Sequence, residues 1–211
     1  MRKLYPINLN IEGRRCVVVG GGEVAARKVI GLLDAGATVH VVSPEVCPEI
    51  QALPVRVSLR PFCEADVDWA AVVIAATDDP DVNARVVAAA QLANVPVNVA
   101  DQPGLCSFFL PAVVRRGALV VSVSTSGASP ALAKAIRRKL DKEFGEEYAE
   151  FIELLGSFRD KVLASVPDPA DRRRIFERMS SEQALDVMRT QGRDATREFL
   201  QQILDAAKTE A

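Results

Sequence analysis

Cys16-Val17-Val18-Val19-Gly20-Gly21-Gly22-Glu23-Val24-Ala25-Ala26-Arg27-Lys28 joins an apolar, β-branched run to three glycines and then to residues that favour helix. The run reads as a buried strand, and the glycines as a tight turn into a helix near Glu23. Gly20, Gly22 and Ala25 fit G-x-G-x-x-A, the pattern of a dinucleotide-binding turn. The first small residue permits the turn, the second lets a pyrophosphate approach the backbone, and the third lets the helix pack on the strand. A helix starting there aims free N–H groups and a positive dipole end at phosphate. The competing reading is a glycine-rich βα turn that binds nothing.

Outward from this turn, strand and helix signals alternate. A helix over about 23–35 carries Ala25, Val29, Leu32 and Leu33 inward and ends at Gly36. Strands follow at Thr38–Val42, Val55–Leu59, Ala70–Ala76 and Val95–Val99. Asp79-Pro80 caps and opens a helix through about Leu92. This is βαβ repetition, hence a doubly wound parallel sheet. After Pro111 the character changes: Ala118–Ser124 alternates as one strand, and Ser129-Pro130 starts a helix reaching about Phe144. From Glu146 onward only helical spacing remains, in Phe151, Leu155, Phe158 and Val162, in a short helix opened by Asp168-Pro169, and in Phe199, Leu200, Ile203 and Leu204. The fold expected is α/β: a Rossmann-like domain over 1–112, a strand–helix connector over 113–147, and a C-terminal helical domain over 148–211. The connector is too small for its own core and is expected to pair with a second subunit.

Bulk properties narrow the function. The 211 residues are 49% hydrophobic, enough for a sizeable core. The balance of 26 basic and 28 acidic residues gives no electrostatic case for nucleic acid or an anionic membrane. No stretch reads as a membrane span or a signal peptide, so the expected location is cytoplasmic. Cys16, Cys47, Cys63 and Cys106 form no C-x-x-C pair, and the single histidine, His40, lies in an apolar strand. Neither a zinc site nor a histidine-based triad fits this set. Cys16 and His40 read as packed strand residues, and Arg172-Arg173-Arg174 as a solvated run.

Ligands of an open α/β sheet gather at the carboxyl ends of its strands. Four ends carry polar residues: Gly20 to Val24, Ser43-Pro44-Glu45, Thr77-Asp78-Asp79, and Asn98 through Asp101. The set reads as a cofactor site, against ordinary loop polarity. The second strand ends without an arginine to attract a 2′-phosphate, which favours NAD over NADP. Asp101 should stand at the mouth of the cleft, where a carboxylate can take a proton from substrate as hydride leaves. The same residue serves equally as a turn former before Pro103-Gly104.

Asn98-Val99-Ala100-Asp101-Gln102-Pro103, then Ser107-Phe108 and Pro111, resembles the N-V-x-D-x-P…S-F…P signature of the siroheme synthase N-terminal family. These proteins are precorrin-2 dehydrogenases, some also sirohydrochlorin ferrochelatases. Val19–Lys28, Ala75–Asp79 and Val123–Pro130 agree with the same family. The resemblance spans about residues 17–140, and the helical tail is similar in kind more than in motif. The chain ends where fused relatives continue into a methyltransferase domain, so a free-standing form is expected.

The resemblance implies oxidation of precorrin-2 to sirohydrochlorin with NAD⁺, followed in bifunctional members by insertion of Fe²⁺. It implies catalysis by Asp101, which would also serve any chelation. It implies NAD contacts at Glu23-Val24 and Pro44-Glu45, and a tetrapyrrole pocket beside Ser124-Thr125. Thr125 departs from the serine of some members but keeps a hydroxyl. The anionic macrocycle suits the helix opened by Ser129, where Lys134, Arg137, Arg138 and Lys139 crowd together, with Arg115 and Arg116 on the preceding segment. A homodimer follows from the same resemblance. A non-catalytic NAD sensor, such as a regulatory domain of an ion transporter, explains the glycine turn but leaves Asp101 and the Ser124–Pro130 turn without a purpose. An interaction module with a relic Rossmann fold would bind no NAD.

Overall fold

The computed structural model describes residues 3–209; the outer limits drawn above at Met1 and Ala211 lie outside the described residues. The chain divides into two compact units, 3–110 and 111–209.

The first unit is a five-stranded parallel sheet in the order β3-β2-β1-β4-β5. Its strands are β1 (Arg15–Val19), β2 (Thr38–Ser43), β3 (Arg56–Leu59), β4 (Val72–Ala75) and β5 (Val97–Val99). The apolar runs are nearly continuous because the inner strands are covered on both faces. Val17, Val18, Val41, Val73 and Ala75 are fully buried. Helix α1 (Glu23–Leu33) packs Ala25, Ala26 and Val29 on the sheet, and α3 (Pro80–Leu92) packs Val86 and Ala90. Asp79 caps α3 as expected, accepting from the N–H groups of Asp81 and Val82. The strand order reverses between β1 and β4, which is where such a sheet opens a crevice for ligand.

Two short elements escape the periodicity argument. Helix α2 (Pro48–Gln51) and a 3₁₀ turn at Glu64–Val67 have only four residues each, too few for a helical repeat to show. Helix α1 stops at Leu33 and not at Ala35; Gly36, with φ +76°, lies beyond a turn of its own.

The second unit begins with an antiparallel pair, β6 (Ala112–Arg116) and β7 (Leu119–Val123), of which only the second was expected. The paired charges at the end of β6 mask its alternation, and Gly117 at φ +54° makes the tight connection to β7. Helices α4 (Pro130–Glu143), α5 (Glu147–Ser165), α6 (Pro169–Met179) and α7 (Glu182–Thr209) follow. Helix α7 is interrupted at Gly192, whose backbone is non-helical. Phe151, Leu154, Phe158, Val162, Met179, Leu200 and Leu204 form the helical core. The Arg172–Arg174 run is not wholly solvated: Arg172 donates to the carbonyls of Val166 and Leu163, tying off the end of α5. Arg173 pairs with Glu177 at 2.8 Å, and Arg174 with Asp171.

His40 is buried, as expected, within a polar cluster. Arg15, which can only donate, bonds to its Nδ1 at 3.2 Å, so Nε2 carries the proton and donates to Ser58 Oγ at 2.9 Å. Nearby, Asp66 accepts from both ends of the Arg60 guanidinium at 2.8 and 2.6 Å. That pairing draws its carboxyl down to about 2. Burial lowers the His40 pKa, reinforced by the charges of Arg15 and Arg56, with Asp66 opposing and Arg60 adding.

The folded state therefore holds His40 neutral while the unfolded chain takes up a proton near pH ~6.5. This contribution to stability is complete above that pH and is lost as pH falls toward the depressed folded value. Urea midpoints should decline between pH ~7 and ~5, and His40→Gln should flatten the decline. Equal slopes for both proteins would overturn the assignment.

Candidate functional site

The glycine turn after β1 is built by close backbone approach. Gly20 has φ +123°, and a Cβ there would lie 2.2 Å from the carbonyl oxygen of Ala76. A Cβ on Gly21 would lie 1.8 Å from the carbonyl oxygen of Glu45 and 2.9 Å from Ser43 Oγ. No side chain fits either position. Gly20 N–H donates to Val42 O at 3.0 Å, Ala76 N–H to Val19 O at 2.7 Å, and Cys47 N–H to Gly21 O at 2.7 Å. The ends of β1, β2 and β4 are thereby drawn to one point. Gly20, Gly22, Glu23, Val24, Ser43, Pro44, Glu45 and Thr77 gather there.

Gly22 differs from its neighbours. Its φ of −85° suits any residue, and a Cβ added to it meets no atom within 4 Å. Nothing in the described fold needs glycine at this position, whereas a pyrophosphate lying on the turn would. Gly22 caps α1 without a side-chain hydrogen bond, so the first-turn N–H groups are left for a ligand. The residues present therefore fit a dinucleotide. Gly21 was the residue missed from sequence, because its need for glycine comes from Glu45 and not from the local motif.

Thr77 stands at the expected strand end and Asn98 within β5, and both bond internally. Thr77 Oγ1 lies 3.1 Å from Asn83 Oδ1 and accepts from Asp79 N–H at 3.2 Å, while Asn83 Nδ2 donates to Thr77 O at 3.0 Å. Asn98, buried in the middle of β5, donates from Nδ2 to Phe108 O at 3.0 Å. Asp101 is exposed two residues past β5, in the left-handed region at φ +57°. Left-handed backbone costs a non-glycine residue roughly 1 kcal/mol, and such positions cluster at functional sites.

In the second unit, Ser124, Thr125 and Ser129 lie together in the turn between β7 and α4. Ser126 N–H donates to Ser124 Oγ, and Ser129 N–H to Thr125 Oγ1, each at 3.1 Å. Ser129 Oγ caps α4 by accepting from Leu132 N–H at 3.2 Å. Ser126 and Gly127 are both left-handed. On α4, Lys134 and Arg138 are exposed with no ion pair among the described residues, whereas Arg137 lies 3.5 Å from Asp141. Arg116 is structural and not a free cation: it pairs with Asp141 at 3.0 Å and Glu146 at 3.2 Å, with 14% of its side chain exposed. No group of metal-ligating side chains occurs among the described residues.

Three family models match the chain. Residues 7–112 match one described as putative NAD(P)-binding, 116–143 one described as sirohaem biosynthesis protein central, and 147–204 one described as the sirohaem synthase dimerisation region. A siroheme synthase of Thioalkalivibrio sulfidiphilus is 41% identical over 95% of this chain and 42% of its own length. One of Nitrosospira multiformis is 46% identical over 82% of this chain and 39% of its own. The chain thus spans about two-fifths of the length of these curated relatives. Among solved structures, SirC, precorrin-2 dehydrogenase, superposes with a TM-score of 0.76 at 29% identity, covering 95% of this chain and 98% of that one. No described helix is long and apolar enough to cross a membrane.

Gly22→Ala should melt close to the wild type, losing about 1 kcal/mol or less as a poorer cap, yet bind NADH at least about tenfold more weakly as its Cβ enters the pyrophosphate position. Gly21→Ala should destabilise the whole unit. Fluorescence titration beside thermal melts reads both. Unchanged NADH affinity in a folded Gly22→Ala protein would remove the dinucleotide from this turn.

Proposed function

The chain belongs to the siroheme synthase family, and on that premise we propose that it oxidises precorrin-2 to sirohydrochlorin with NAD⁺. The carrying observation is the pairing of a turn whose first two glycines serve the fold and whose third is left open to a ligand with an exposed carboxylate in left-handed backbone past β5. The NAD(P)-binding match and the likeness to SirC support a dehydrogenase. The three segments expected from sequence, 1–112, 113–147 and 148–211, are assigned to cofactor binding, connection and helical dimerisation.

When bound, NAD⁺ supplies the hydride acceptor. The turn at Gly20–Val24 would hold its pyrophosphate through backbone N–H groups and the start of α1. Ser43, Pro44 and Glu45 would line the adenosine side; with Glu45 there and no arginine between Ser43 and Glu49, a 2′-phosphate finds no cation, so NAD is assigned over NADP. Thr77 and Asn98 shape the floor through the internal bonds described above. Oxidation removes a hydride and a proton from the macrocycle, and Asp101 accepts the proton. Ser124, Thr125 and Ser129 are assigned to the tetrapyrrole, with Lys134, Arg137 and Arg138 answering its carboxylates. The unpaired Lys134 and Arg138 are the better placed, since a cation already neutralised gives less to an anion. The match to a dimerisation region supports a homodimer.

The names of the siroheme synthase relatives support a second step, with Fe²⁺ as substrate. Both inner N–H protons of sirohydrochlorin leave as the metal enters, and Asp101 is assigned to take them one at a time, releasing the first to water before the second is transferred.

Anaerobic incubation with precorrin-2 and NAD⁺ should yield NADH and the sirohydrochlorin spectrum. Asp101→Asn should lower turnover by about a hundredfold or more with NADH affinity unchanged. Lys134→Glu with Arg138→Glu should raise KM for the macrocycle alone. Adding Fe²⁺ against a no-enzyme control tests the second step. Absence of NADH from the wild type would overturn the dehydrogenase and favour a nucleotide sensor.

A further inference from the structure

Strand β5 lies at the edge of the sheet, and an edge strand presents backbone N–H and C=O groups that need partners. Among the described residues no sixth strand supplies them. Ser107 N–H donates to Val97 O at 2.9 Å, and Ser107 Oγ accepts from Val97 N–H at 2.8 Å. The same hydroxyl lies 3.2 Å from Val97 O. Two residues along the strand, Cys106 Sγ accepts from Val99 N–H at 3.2 Å and lies 3.3 Å from Val99 O and 3.4 Å from Gln102 O. Asn98 completes the closure, donating from Nδ2 to Phe108 O at 3.0 Å and reaching Cys106 Sγ at 3.5 Å. The Ser107 N–H and the side chains of Cys106 and Ser107 thus take the place of a strand ladder along the edge of β5.

This closure has a consequence for the loop between its two halves. Ala100 is fixed on one side by its N–H bond to Ala75 O at 2.9 Å. Cys106 and Ser107 fix the other side, and Asp101 stands within the loop so bounded. Left-handed backbone at an aspartate persists only where surrounding structure over-determines it, and these contacts supply that determination.

We propose that Cys106 and Ser107 are positioning residues for Asp101: by replacing the missing edge strand with side-chain hydrogen bonds, they hold the loop that carries the carboxylate. The proposal rests on the dehydrogenase reading. Cys106 acts through hydrogen bonding and geometry, not as a nucleophile. A misplacement of about 1 Å in a reacting group costs as much as a hundredfold in rate, so loss of either contact should appear in turnover before it appears in cofactor binding.

The test compares Cys106→Ala, Ser107→Ala, their double variant and Cys106→Ser in the full chain. Hydrogen exchange over residues 97–108, thermal melts, NADH affinity, and kcat and KM with precorrin-2 are measured on each. The double variant should exchange faster in this segment alone and lose about tenfold or more in kcat, with NADH affinity and the melting of the rest of the unit held. Cys106→Ser, whose hydroxyl can make the same bonds, should recover most of the loss. A merely structural role would lower stability, NADH affinity and kcat together, and would overturn the proposal. Wild-type kcat in a variant whose loop exchanges faster would overturn it as well, and so would unchanged exchange. A wild-type protein that forms no NADH would sink the dehydrogenase reading and the positioning role with it. That failure is distinguishable, because it shows in the unmutated chain.

Discussion

The contact on which the first unit depends is a meeting of backbones, not of side chains. At Gly21 the chain passes so near the Glu45 carbonyl that a single methyl group would sit 1.8 Å from its oxygen; at Gly20 the same holds for Ala76 at 2.2 Å. These approaches allow the ends of β1, β2 and β4 to converge where the strand order reverses. Adding one carbon at either place forces the end of β2 or β4 outward, since a carbonyl cannot yield as a flexible side chain does. The hydrogen bonds from Gly20, Cys47 and Ala76 then register the three segments. Gly22, freed from such duties, can serve whatever lies on the turn.

Both units face the problem of an incomplete sheet and solve it differently. The first closes the edge of β5 with Asn98, Cys106 and Ser107, so the segment after the strand is held by side chains. The second has only two strands, and ties them to its helices through charge. Arg116, at the end of β6, reaches Asp141 on α4 and Glu146 just before α5. A mostly buried guanidinium with two carboxylate partners keeps its charge at tolerable cost, where an unpaired one would not. The same network engages Arg137 through Asp141. The basic character of α4 is therefore divided: part is neutralised inside the unit, and Lys134 and Arg138 make no ion pair among the described residues.

What the sequence disclosed divides along the same line between local and distant causes. The glycine turn, the buried strands of the parallel sheet, and the caps at Asp79, Ser129 and Asp168 were legible because each rests on a few adjacent residues and a known steric rule. The parallel-sheet reading follows from runs such as Val17–Val19 and Val72–Ala75, apolar at every position. Helix α2 and the turn at Glu64–Val67 were hidden by length, and β6 by the arginines at its end. Gly21, Arg116, Cys106 and Ser107 were illegible for a different reason. The partner that gives each its role is brought near only by the fold: Glu45 for Gly21, Asp141 for Arg116, and the edge of β5 for the other two. The resemblance to the family reached Asp101 and the glycine turn, which lie in its motifs. Its motif also includes Ser107, but not the bonds to Val97 that place that residue.

Asp101 itself was open to two readings in sequence, a proton acceptor or a turn former, and the backbone bears on the choice. Aspartate tolerates the left-handed region better than most residues, through local hydrogen bonding of its short side chain. Glycine tolerates it at no steric cost, and this chain holds it with glycine at Gly13, Gly36 and Gly117 but also with Trp69, Asn94 and Ser126. The conformation alone therefore does not choose between the two readings. What sets Asp101 apart is that its carboxylate stays exposed at φ +57° in a loop anchored from both sides by bonds to β4 and β5, and the proposed role rests on that placement. The turn-former reading accounts for the bend, and the proposed proton acceptor would account for the acid as well.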